Sequence, residues 1–124
     1  MFLLFSHKLS SSQIIDAKKN LKVENFIELN LELQEKWSNI PTDIETLNIT
    51  LNPYKKLLKE EAKEDDIVLI QGDFGAVYHM VNFAKSLRLK AVYATTNRLI
   101  KEYVEDNKTV KKSIFTHVRF REYK

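Results

Sequence analysis

Three short stretches of this chain carry side chains able to handle a phosphate or move a proton. Ser6-His7-Lys8 sets a hydroxyl, an imidazole and an ammonium side by side, directly after an apolar run. The imidazole of His7 suits general acid–base work by its position at a strand end, while Lys8 and Ser6 suit a phosphate. Ser6 has no nucleophilic triad around it. Gln71-Gly72-Asp73-Phe74-Gly75 holds both glycines of the sequence. A Gly-x-x-Gly turn between a strand and a helix lets backbone approach a ligand closely, and the helix start offers free N–H groups and partial positive charge. It lacks the dinucleotide-binding fingerprint and the Lys-Ser/Thr pair of an ATP-binding loop. Asp73 has two roles open to it, as helix N-cap or as the group orienting a hydroxyl or a base. Thr95-Thr96-Asn97-Arg98 is the third stretch.

The C-terminal segment adds a fourth feature. Strict alternation puts Phe115, His117, Arg119, Arg121 and Tyr123 on one strand face, with Ile114, Thr116, Val118 and Phe120 on the other. Aromatic and guanidinium groups on one surface suit bases and phosphates. The same charges equally protect a solvated edge strand from aggregation. His7, His79 and His117 have no metal-ligand spacing, and His79 falls on the less apolar side of its helix.

The elements that must hold these groups follow from the apolar pattern. Phe2–Phe5 reads as a strand covered on both faces. Ser10 to Gln13 forms a capping box ahead of a helix expected to bury Ile14, Ile15, Ala17 and Leu21, and 25–29 returns as a short strand. The resulting βαβ unit should cross over right-handed. Residues 31–66 read as mostly helical, with a second capping box at Thr42-x-x-Glu45 and a helix start at Asn52-Pro53. Ile67–Ile70 is a strand, 74–87 a helix and Ala91–Ala94 a strand that ends in Thr95–Arg98. Leu99, Ile100, Tyr103 and Val104 have helical spacing, yet Glu105-Asp106-Asn107-Lys108 ahead of a β-rich run points to a hairpin.

This order predicts a single α/β domain over 1–124: a Rossmann-like open, mostly parallel sheet, helices on both faces, and a β-rich C-terminal segment. Ligands in such sheets sit beyond the carboxyl ends of the strands, where strand order reverses, and that rule selects the three polar stretches. Composition narrows the function further. The 124 residues include no cysteine, which excludes disulfides, a thiolate nucleophile and sulfur-ligated metal. No apolar run is long enough to span a membrane, and Met1–Phe5 is too short for a signal peptide, so a cytoplasmic protein is expected. Two glycines, where average usage gives roughly nine, exclude glycine-rich linkers and multi-glycine phosphate loops. A net charge of +3 is compatible with an anionic ligand without demanding a long nucleic acid.

Taken together, Phe5-Ser6-His7-Lys8-Leu9, Gln71–Gly75, Ala94-Thr95-Thr96 and His117-Val118-Arg119-Phe120-Arg121 resemble the small CRISPR-associated Csx proteins of the Csx-twenty family, over nearly the whole chain. The resemblance implies a CARF-like Rossmann domain acting as a ring nuclease of type III CRISPR systems. Its expected ligand is cyclic oligoadenylate, with cyclic tetra-adenylate foremost, and its expected assembly a homodimer. The reaction it implies needs no metal or cofactor: a ribose 2′-hydroxyl attacks the adjacent phosphate. In that chemistry His7 moves the proton, and Lys8, Arg98 and the Gly72–Gly75 amides, Phe74 included, stabilise charge. Asp73 or Gln71 orients His7 or the hydroxyl, Ser6, Thr95 and Thr96 contact ribose or phosphate, and Arg119 and Arg121 close the pocket or join the dimer. A module that binds the ring without cutting it, or an adaptor using the His117–Arg121 face, would use the same groups.

Overall fold

The computed structural model describes residues 1–124. Nine elements follow in order: β1 (Phe2–Leu4), α1 (Ser11–Asn20), β2 (Ile27–Glu28), α2 (Leu31–Ser38), α3 (Asn48–Glu61), β3 (Ile67–Ile70), α4 (Phe74–Ser86), β4 (Lys90–Glu105) and β5 (Lys108–Glu122). They build one five-stranded sheet in the order β2-β1-β3-β4-β5, parallel except for the antiparallel β5. This is the α/β, Rossmann-like architecture expected from the sequence.

Alternation along the strands explains why both sheet faces are covered. Val68 and Ile70 of β3 join Trp37, Leu51, Tyr54, Leu58 and Met80 in a core beneath α2, α3 and α4. Leu69, between them, points the other way and joins Leu3, Ala17, Val92 and Phe120 under α1. Strands buried on both sides must be apolar throughout, which is how β1 and β3 read. The α1 cap is the predicted one: Ser10 Oγ accepts the Gln13 N–H at 3.2 Å, and Gln13 Oε1 accepts the Ser10 N–H at 2.9 Å. Tyr54 ties α3 to α2 by donating its hydroxyl to the Leu33 carbonyl at 2.7 Å, and burial pushes its pKa up to about 12.

Three local expectations need correction. Thr42 and Glu45 cap nothing, because the chain stays irregular from 39 to 47. Helix α3 starts at Asn48, so Pro53 is its sixth residue and not its first. Its ring denies the Ile49 carbonyl a helical partner, a loss made tolerable because Ile49 is exposed and open to water. The fourth strand does not end at Ala94. It continues through Thr95–Arg98 and Leu99–Val104 to Glu105, turning back through Asp106 and Asn107, whose φ angles of 51° and 61° are those of a type I′ hairpin turn.

The alternation assumed for β5 is also broken. Thr95 pairs with Arg119 and Thr96 with His117, leaving Val118 as an extra residue. The bulge turns His117 onto the α1 side, where its ring stacks 4.9 Å from that of Phe120. Arg121 and Tyr123 gather instead around Tyr93: Arg121 donates to the Tyr93 hydroxyl at 2.9 Å, and the two tyrosine rings lie 4.7 Å apart. The expected common face of Phe115, His117, Arg119, Arg121 and Tyr123 therefore does not exist.

Candidate functional site

Strand order reverses between β1 and β3. The chain leaves β1 toward α1 on one face and leaves β3 toward α4 on the other, so the two exits part and open a crevice. Its volume is about 460 Å³, and Ser6, Trp37, Ser38, Asn39, Ile40, Gly72 and Asp73 line it. Two of the predicted stretches, 66 positions apart along the sequence, thus meet where an open α/β sheet holds its ligand. A second cavity of about 350 Å³ opens at the opposite, amino ends of β1 and β3, against Met1, Asp65 and Asp66.

Much of the polar lining is already engaged. Gln71 is a structural clamp: its side chain accepts the Ala94 N–H at 2.7 Å, tying β3 to β4, and its carbonyl accepts the Trp37 indole N–H at 2.8 Å. Trp37 in turn explains Gly72. A Cβ at Gly72 would lie 2.8 Å from Trp37 Nε1, and the φ of +157° is one that side chains rarely adopt. Gly75 is under no such constraint, since a Cβ there would meet Asp73 and Leu47 only at 3.4 Å. Asp73 is the N-cap of α4, accepting the Ala76 N–H at 3.0 Å. Its carboxylate occupies part of the helix start that was expected to face a phosphate. Ser38 and Asn39 donate back to the Gln34 and Glu35 carbonyls of α2. The Ser6 hydroxyl and the amides of Phe74 and Gly75 keep their hydrogen-bonding capacity, while the Phe74 side chain is 95% exposed.

The remaining candidates lie elsewhere. His7 and Lys8 are exposed on the loop that follows Ser6, with the His7 ring edge-on to Phe5 at 5.4 Å. Thr95, Thr96, Arg98, Arg119 and Arg121 all belong to the β4–β5 hairpin. Thr95 repairs the bulge, donating its hydroxyl to the Arg119 carbonyl at 2.9 Å and accepting the Arg119 N–H at 3.3 Å. Arg98 donates to Ser113 Oγ at 3.1 and 3.3 Å and lies over the Phe115 ring. Its partners are hairpin residues, and it does not line the crevice.

Sequence reasoning missed two features. Trp37, Ser38 and Asn39 form one wall of the crevice, and the only cue was a lone tryptophan beside a helix-ending asparagine. Asp16 and His117 form a pair 101 positions apart, Nε2 to Oδ2 at 2.7 Å, with side chains 14% and 4% exposed. Nδ1 of His117 is buried without a partner. Burial pushes the Asp16 carboxyl up, but hydrogen bonds from Asn20 and His117 and the charges of His117 and Arg119 outweigh it, so its pKa lies below the usual value. No three His, Asp or Glu side chains cluster as a metal site, and no helix is long and apolar enough to cross a membrane.

Fold and crevice together define a Rossmann-like α/β protein with a polar crevice at the β1/β3 switch point. Within that class the chain belongs to the family described as the Uncharacterized protein MJ1673 family, whose profile matches residues 1–121. It is similar to the Uncharacterized protein MJ1673 of Methanocaldococcus jannaschii, being 54% identical over 123 residues, which covers 99% of this chain and 95% of that protein. No solved structure matches it.

Proposed function

We propose that this protein is a metal-independent ring nuclease that cleaves cyclic oligoadenylate, cyclic tetra-adenylate foremost, and so ends type III CRISPR signalling in the cytoplasm. The observation that carries the reading is the meeting of Ser6 with Gly72 and Asp73 in one polar crevice at the switch point, with His7 and Lys8 on the adjoining loop. The sequence resemblance supplies the substrate class.

In this reaction the ribose 2′-oxygen attacks the adjacent phosphorus and the bond from phosphorus to the 5′-oxygen breaks. The products are a 2′,3′-cyclic phosphate and a 5′-hydroxyl. The proton leaves the 2′-hydroxyl, and the departing 5′-oxygen takes one up. His7 is the group to move it, and Lys8 with the Phe74 and Gly75 amides balances the charge that builds on the phosphate. Asp73 holds the start of α4 and Gln71 clamps the sheet, so neither is needed as the orienting group first assigned to it. Arg98 is likewise given no place at the crevice. The crevice has room for about one nucleotide unit, not a whole ring. A two-fold pair of copies, each reading half of a pseudo-symmetric ligand, meets that limit.

Ser38→Trp tests the location. It fills the crevice from the end of α2, where the serine hydroxyl bonds only to its own helix. The variant should keep the wild-type circular dichroism and melting curve yet lose binding of cyclic tetra-adenylate. Undiminished binding would move the ligand off the switch point.

A further inference from the structure

Beyond Thr96 and His117, β4 and β5 pair only with each other. At ~3.3 Å per residue the free hairpin projects about 30 Å from the sheet. A two-stranded hairpin alone in water is marginally stable at best. This one also carries apolar side chains on one face: exposed Leu99 opposite half-buried Ile114, and exposed Tyr103 opposite half-buried Val110. Between those pairs Lys101 stands directly opposite Lys112. Like charges so placed repel each other, and neither lysine has an ion-pair partner. Glu105 lies on the same face, nearer the tip, opposite Lys108 but without an ion pair.

The surface area makes the same point. The chain exposes 8924 Å². A compact monomer of its 14.6 kDa exposes about 6,900 Å². The excess is about 2,000 Å², whereas a stable dimer needs only about 800 Å² from each partner.

We propose that this hairpin face packs against the same face of a second copy, the two arms running antiparallel about a two-fold axis near Tyr103. Residues spaced equally about Tyr103 then meet across the axis. Glu105 of one copy lies against Lys101 of the other, supplying a counter-charge to the Lys101–Lys112 pair, while Leu99, Tyr103, Val110 and Ile114 are covered. The inference rests on the dimeric part of the function proposed above and names its surface. It does not depend on cleavage.

Sedimentation equilibrium of the full chain without ligand tests it, and thereby separates its failure from failure of the nuclease reading. The wild type should sediment at twice the mass of the chain. Leu99→Ser with Ile114→Ser should give a monomer. Lys101→Glu should weaken the dimer about tenfold, since two symmetry-related pairs are lost, and adding Glu105→Lys should restore it. A monomeric wild type at tens of micromolar would overturn the proposal. So would a charge reversal that leaves the dimer unchanged, or a double reversal that fails to recover it.

Discussion

Gly72 and Gly75 differ in what their missing side chains protect. A methyl group at Gly72 collides with the indole nitrogen of a buried tryptophan that is itself hydrogen-bonded, so neither partner yields cheaply. Gly72→Ala should therefore cost about 1–3 kcal/mol in denaturant unfolding and shift the Trp37 fluorescence. Gly75→Ala, in the first turn of α4, should change stability by less than about 1 kcal/mol. The sequence shows where both glycines lie relative to the strand ends, but the reason for Gly72 is a contact with a residue 35 positions away. Asp16 offers a second test at this scale. Because its pKa is lowered in the folded protein, its contribution is present above the unfolded carboxylate value and is lost as pH falls through the folded value. Asp16→Asn should therefore be less stable than wild type near pH 5. The difference should shrink below about pH 4 in urea titrations followed by circular dichroism.

The hairpin is the element least legible in the sequence, for two physical reasons. Leu99 and Ile100, like Tyr103 and Val104, point to opposite faces of an arm that projects from the sheet, so the two-residue period is hidden and the spacing imitates a helix. The bulge at Val118 is invisible because one extra residue changes no composition and no local propensity, yet it reverses the direction of every side chain beyond it. The same logic makes the bulge testable. Inserting one alanine between Thr95 and Thr96, opposite Val118, would restore one-to-one pairing and turn His117 to the face of Arg119, away from Asp16, leaving a carboxylate on α1 without its partner. The insertion should cost about 2–4 kcal/mol and abolish the through-space coupling between the His117 ring and α1 in NMR spectra. Retained coupling would show that the register adapts elsewhere. By contrast, the α1 capping box, the β3 strand and the βαβ entry were all legible, because local pattern and tertiary burial agree there.

At the scale of the molecule, strand order is what turns scattered polar residues into a site. The alternating strands and helices dictate an open sheet, and reversal between β1 and β3 brings Ser6 to Gly72 and Asp73. That convergence could be anticipated from the element order. The α2 wall could not, because nothing local says which connection will fold back over the strand ends. Nor could the confinement of Arg98 and Arg121 to the hairpin, which follows from β4 running on past the sheet. The catalytic proposal consequently narrows to His7 and Lys8 beside the crevice. It is tested most directly by incubating the protein with cyclic tetra-adenylate in EDTA and separating the products by chromatography. Wild type should yield linear fragments ending in 2′,3′-cyclic phosphate and 5′-hydroxyl, and His7→Ala should leave the ring uncut. An intact ring with the wild-type protein would contradict the account, as would undiminished cleavage by the His7→Ala variant.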